Sequence, residues 1–156
     1  MLTIDPGWNT AVAVWKDRKL CDVYYFTAKK KESNKLKYMA HIFSDVIDKL
    51  AFGDYEKKAF IEGVQIYGDI TSQTSARSGY LTELSYLIGA YNIILQKHGY
   101  DTKILLPRQW KAQLPKEAVR ERVQLEGYIL DNSHEYDAVG IGLAVLGKLD
   151  KRIRFL

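Results

Sequence analysis

A single cysteine, Cys21, is all the thiol the 156-residue sequence carries. One cysteine closes no disulfide within the chain, and its rarity fits a reducing compartment. An isolated thiol of this kind is expected to be a small apolar group, buried or half-buried and without chemistry. Proline is scarce as well, at three positions, Pro6, Pro107 and Pro115. Each is read as punctuation at the edge of an element. Long apolar runs are missing: the longest, residues 86–95, is interrupted by Asn92 and falls well short of the ~20 residues that cross a bilayer. No membrane partner is expected, and the first apolar stretch has neither the basic flank nor the cleavage pattern of a signal peptide. The cytoplasm is the expected compartment. Repeats and low-complexity linkers are also absent, so residues 1–156 read as one domain.

What is present is ordinary for a globular chain: 47% hydrophobic and 27% charged residues, with a net charge of +4. The distribution says more than the sum. Lys29, Lys30, Lys31, Lys35 and Lys37 fall close together, and Lys103, Arg108, Lys111, Lys116, Arg120 and Arg122 form a second group. Two basic clusters suit a polyanion. Two solvated faces are the plainer reading, and charge alone leaves both open.

Hydrophobic patterning orders the chain. Residues 2–4 are a short apolar strand stopped by Pro6-Gly7; residues 10–15 and 20–27 are two further β-branched and aromatic strands joined by a polar turn. Met39, Ile42, Phe43, Val46, Ile47 and Leu50 recur at helical spacing, with Gly53 as the stop. Residues 59–61 form a buried strand ending at Glu62, and residues 68–79 a polar, mobile loop. A strong helix follows over 80–97, then a fifth strand over 102–106. Pro115 opens a helix to about Gln124, and Ser133 is a suitable N-cap for a last helix from His134 to about Lys148. The order β-β-β-α-β-α-β-α-α predicts an α/β fold: a five-stranded mixed sheet, an antiparallel meander followed by two more strands, flanked by helices.

Three features then converge. Asp5 closes the first strand, Glu62 closes the fourth, and His134 and Asp137 sit three apart on one face of a helix's first turn. If the first and fourth strands are neighbours, their carboxylate tips meet. Clustered carboxylates raise one another's proton affinity, and a hard cation such as Mg²⁺ or Mn²⁺ relieves this. Two such ions can activate water and stabilise the leaving oxygen of a phosphodiester. Taken singly, each residue has a plainer role: a turn aspartate, a lysine-paired glutamate, a surface histidine, an aspartate favouring a helix N-terminus. Asp131 reads as a turn residue. Lys111, Lys116 and Arg120 are candidates for holding strand phosphates, and Trp110 reads as packing beneath them. Gly140 and Gly142, with Ala138 and Ala144, are expected to let the last helix pack closely on the sheet.

The stretches "LTIDPGWNTAVAVW", "FIEGV" and "HEYDAVGIGLA", in this order and spacing, resemble the motifs of RuvC-type Holliday junction resolvases, nucleases with an RNase H-like fold. The resemblance implies that Asp5, Glu62, His134 and Asp137 are metal ligands and catalytic groups holding two Mg²⁺ or Mn²⁺ ions, with His134 serving as ligand or base. It implies that Lys111 and Lys116 assist catalysis. It further implies a homodimer that nicks branched double-stranded DNA, leaving 5′-phosphate and 3′-hydroxyl ends. Family members insert an aromatic side chain into the junction three residues beyond the middle glutamate. This chain has Gln65 there; Tyr67 is the nearest substitute for stacking on a base, and Arg77 is placed to reach phosphate. This departure and the chain's compactness point to a phage- or virus-encoded member acting in a bacterial host's cytoplasm. Two other readings remain open at this stage. One is a branched-DNA binder without catalysis, favoured by His134 and Gln65. The other is a phosphotransferase fragment, since Asp5-Pro6-Gly7-x-x-Thr10 also resembles the first phosphate loop of actin-like ATPases.

Overall fold

A computed structural model describes residues 1–65, 73–74 and 79–149. Five strands form one sheet: β1 (Leu2–Asp5), β2 (Asn9–Lys16), β3 (Lys19–Thr27), β4 (Lys58–Glu62) and β5 (Asp101–Leu105). Their order is β3-β2-β1-β4-β5. The first three make the expected antiparallel meander, whereas β4 runs parallel to β1 and β5 parallel to β4. The β2–β3 turn places Asp17 and Arg18 at φ +50° and +63°, in the left-handed region that a tight hairpin turn needs.

The helices are α1 (Lys35–Leu50), α2 (Tyr80–Lys97), α3 (Pro107–Trp110), α4 (Lys116–Leu125) and α5 (Ser133–Val145). They cover both faces of the sheet. Strand residues alternate sides. Leu2, Ile4, Ala59 and Ile61 enter a core with α1 and α2, where Phe43 stacks on Tyr91 at 3.9 Å between ring centroids. On the other face Ala11, Ala13 and Trp15 pack with Val119 and Val123 of α4 and the whole middle of α5. Every residue from Glu135 to Leu143 is buried, which a helix wedged between the sheet and α4 requires. Gly142 makes this approach possible: a methyl group there would lie 2.2 Å from the Trp15 indole.

Two expectations are corrected. Cys21 is exposed, because it lies on β3, the edge strand, on which no residue is fully buried. Asn132, not Ser133, caps the last helix; its side chain accepts from the backbone N–H groups of His134 and Glu135. The short helix α3, opened by Pro107, is an element for which the patterning gives no expectation. The mobile loop expected over 68–79 lies outside the described residues except for 73–74 and 79. Among the described residues, no helix is long and apolar enough to cross a membrane.

Candidate acidic site at the ends of β1 and β4

Asp5 and Glu62 are the last residues of two neighbouring parallel strands, directly after the paired Ile4 and Ile61. Adjacent strands run about 4.8 Å apart, so the two tips lie side by side. The turn after Asp5 is closed by Thr10, whose hydroxyl donates to Gly7 O at 2.8 Å and accepts from Gly7 N at 3.2 Å. Helix α5 starts against these tips. Its first turn is fixed by reciprocal capping: Asn132 Oδ1 accepts from His134 N at 3.0 Å and Glu135 N at 3.1 Å, while Glu135 Oε2 accepts from Asn132 N at 3.3 Å and Asp131 N at 2.8 Å. One turn presents both His134 and Asp137 to the strands.

His134 and Asp5 are in direct contact, Nδ1 to Oδ2 at 2.8 Å. An ionised carboxylate only accepts, so Nδ1 carries the proton of this bond. The Tyr25 ring of β3 lies nearly parallel to the imidazole, 6.4 Å away between centroids, and its hydroxyl donates to Asn9 Oδ1 at 3.1 Å. Glu62 is held by a different group: the indole Nε1–H of Trp110 donates to its Oε2 at 2.7 Å. The Lys111 ammonium stands over the same indole, 4.8 Å from its centroid.

The electrostatics follow from burial. Asp5 and Asp137 are 7% and 6% exposed. Burial, and next the charge of Asp5, push Glu62 up to about 7, with Lys111 opposing. Asp137 is raised for the same two reasons, against Lys111, Lys116 and His134. His134 is raised mainly by its hydrogen bond to Asp5, against its own burial. Three acids and an imidazole therefore share one electrostatic field, with two lysines at its rim. Among the described residues, no three His, Cys, Asp or Glu side chains stand in a ready-made ligand cage. The donor chemistry nevertheless fits a hard divalent ion. Such an ion takes carboxylate oxygens, to which the His134 imidazole adds a softer donor, and its charge would offset the burial and repulsion that raise the proton affinity of Glu62 and Asp137.

The basic residues named from the sequence take definite places. Lys116, Arg120, Ser133 and Asp137 line a pocket of about 290 Å³ beside the acids. Arg120 lies over the Tyr136 ring at 5.3 Å, and the Tyr136 hydroxyl accepts from Leu130 N. Gln65 does not stand free: its Oε1 accepts from Arg108 N at 3.1 Å. Tyr67 and Arg77 lie outside the described residues. A larger cleft of about 610 Å³, bounded by Lys16, Arg18, Asp54 and Glu56, opens at the opposite end of the sheet, away from the acids. Sequence reading missed Trp110 and Tyr25 as partners of the site. Trp110 lies 48 residues from Glu62, so no spacing rule links them; its place beside Lys111 was the only clue.

No protein-family model matches the chain, and no curated protein sequence does. Solved structures do. The structure of Thermus thermophilus RuvC in complex with a Holliday junction substrate superposes with a TM-score of 0.66 at 16% identity, over 92% of this chain and 90% of that one. A second Thermus thermophilus RuvC structure gives 0.64 at 15% identity, over 94% and 96%. Both are bacterial proteins, and the phage or viral origin expected from the sequence draws no support from them. At this identity the likeness is one of architecture: the chain has the RNase H-like fold of RuvC, with the sheet order β3-β2-β1-β4-β5 and helices on both faces.

Proposed function

We propose that this chain is a structure-selective DNA endonuclease that nicks Holliday junctions or other branched DNA by phosphodiester hydrolysis. One observation carries the reading: Asp5, Glu62, His134 and Asp137, distant in sequence, come from β1, β4 and α5 to one end of the sheet, with Lys111 and Lys116 at the rim. The four would hold Mg²⁺ or Mn²⁺, two ions in this reading. When bound, these supply Lewis-acid charge and lower the pKa of an attacking water. The chain's own residues do the rest. His134 donates a hydrogen bond from Nδ1–H to Asp5, so in the neutral ring Nε2 is the free basic atom, available to a cation or to the proton of that water. Lys111, Lys116 and Arg120 hold the backbone phosphates of the cleaved strand, and Tyr67 and Arg77 are assigned to DNA from the sequence. A homodimer suits a substrate with two-fold character. Tyr86 and Ile93 of α2, 64% and 53% exposed, offer it an uncovered apolar stripe. A cytoplasmic setting goes with this substrate.

The test is cleavage of synthetic four-way junctions, flaps and forks with Mg²⁺ or Mn²⁺. The wild-type chain is expected to nick at least one of them, leaving 5′-phosphate ends, and Asp5→Asn to abolish nicking while DNA binding survives. Binding without any cutting by the wild-type chain in either ion overturns the reading. That outcome would favour branched-DNA binding without catalysis, a reading with one observation of its own: one oxygen of Asp5 is already taken by His134. Calorimetric titration with Mg²⁺ separates the two, because a non-catalytic site has no need to bind the ion.

A further inference from the structure

Trp110 is 4% exposed and sits at the end of α3, a helix of only four residues. Such a helix is not stable alone, and bonds at its start and to the chain leaving β4 anchor it. Gln109 Oε1 accepts from Leu106 N at 2.7 Å, and Arg108 N donates to Gln65 Oε1 at 3.1 Å, tying α3 to the chain that leaves β4. Gly63 N donates to Leu105 O at 2.8 Å, which fixes that exit against β5. Beyond Trp110 the backbone turns through Ala112 at φ +51°, a left-handed conformation uncommon for a residue with a side chain. The indole is thus placed from both sides. The third wall is α5: a methyl group at Gly140 would lie 3.0 Å from Trp110 Cζ3 and 2.8 Å from Val119 Cγ1. The absence of a side chain at Gly140 makes room for the ring.

The ring makes two contacts with the acidic site, through different chemistry. Its Nε1–H, a donor with no accepting capacity, bonds Glu62 Oε2 at 2.7 Å. Its face carries the Lys111 ammonium at 4.8 Å. Phenylalanine would keep an aromatic face in part of that space, but it is smaller and could not donate.

We propose that Trp110 is the positioning residue of the acidic site: one indole fixes which oxygen of Glu62 is free to face the centre and where the Lys111 charge stands beside it. Glu62 keeps Oε1 for a ligand because Oε2 is engaged. Lys111, parked on the ring, lies close enough to act on both Glu62 and Asp137. Trp110 touches no substrate in this role; it acts through the two groups it holds. The consequence for catalysis rests on the endonuclease reading, whereas the hydrogen bond does not.

The experiment is ¹⁵N NMR of the full-length protein, following the indole N–H resonances of Trp8, Trp15 and Trp110. The Trp110 signal is identified by its loss in Trp110→Phe, or, if that variant does not fold, by elimination with Trp8→Phe and Trp15→Phe. Glu62→Gln is expected to move the Trp110 signal and leave the other two in place, and Mg²⁺ titration of the wild-type chain to move it as well. In Trp110→Phe the melting temperature is expected to fall, because Glu62 loses its donor and the smaller ring leaves a void; in the folded variant calorimetry is expected to show Mg²⁺ binding weakened by about 10- to 100-fold, and kcat for junction cleavage to fall while KM holds. A Trp110 signal indifferent to Glu62→Gln overturns the proposal, as does a folded Trp110→Phe with wild-type Mg²⁺ affinity. Should the wild-type chain bind no Mg²⁺ and cut nothing, the endonuclease reading falls, yet the response to Glu62→Gln still decides whether Trp110 holds Glu62.

Discussion

At the scale of single residues, one hydroxyl shows how the scaffold under the acids is held. Thr3, fully buried two residues before Asp5, accepts from Trp15 Nε1 at 2.8 Å and donates to Ala138 O at 2.7 Å. It joins β1, β2 and α5 at one atom, directly below the contact between Asp5 and His134. Thr3→Val keeps the shape and removes both bonds, leaving a buried indole N–H without its acceptor. The expected loss is about 1–3 kcal/mol, read as a lower urea midpoint with an unchanged slope, and Thr3→Ser is expected to recover most of it. A midpoint equal to wild type in Thr3→Val would show that the hydroxyl carries no such role. Residue-level legibility divides along the same line. The positions of Asp5, Glu62, His134 and Asp137 could be read from the sequence because each stands at a fixed place in a short local pattern: a strand tip or a helix's first turn. Thr3 and Trp110 could not, because their bonds run 135 and 48 residues along the chain, and nothing local marks either partner.

At the scale of elements, α1 and α2 are joined at one end by a titratable link. His98, the C-cap of α2, has Nδ1 2.8 Å from Ile94 O and Nε2 2.6 Å from Asp48 Oδ1 of α1. Both partners accept, so both ring nitrogens donate only in the imidazolium form. The bond to Ile94 O and then the one to Asp48 raise its pKa above the ordinary value. A raised folded-state pKa means that the charged form is favoured on folding. The added stability is complete below the unfolded value near 6.5, and it is lost as pH rises through the higher folded value. Wild-type stability, read from thermal or urea midpoints, is expected to decline over that window, while Asp48→Asn shows a shallower decline. Equal profiles for the two would remove Asp48 from the link. The elements themselves were mostly legible. Alternation and helical spacing placed all five strands and the helices α1, α2, α4 and α5 within a few residues, because each has a face that the core needs apolar. The short α3 escaped, since four residues give no period. The exposure of Cys21 escaped as well, because the position of β3 at the sheet edge belongs to topology, not to the strand's own residues.

At the scale of the whole molecule, placement of charge matters more than its net value of +4. Thr27, the last residue of β3, pairs with Asn9, so the chain leaves the sheet there at the same end as Asp5. Lys29, Lys30 and Lys31 follow at once, exposed, and Ala28 N is bonded to Trp8 O in the turn beyond Asp5. Among the described residues, none of the three forms an ion pair. Lys111 and Lys116 approach the acids from the other side. The acidic centre therefore lies between two basic clusters, the arrangement a DNA backbone crossing that end would meet. Lysines that contact phosphates release counterions, and each contact steepens the logarithmic dependence of affinity on salt by about 0.9. Replacing Lys29, Lys30 and Lys31 together by alanine is expected to flatten that slope by up to about 2.7, measured by fluorescence anisotropy in EDTA. The same loss should appear on a four-way junction and on a plain duplex, because phosphate contacts position DNA without reading its sequence. If the slope stays at the wild-type value on both, the lysine run is a solvated face, and the proposed DNA contacts are left to the Lys111–Arg120 side. A change confined to the junction would mean instead that these lysines meet an arm which only a branched substrate sends across the Asp5 end of the sheet.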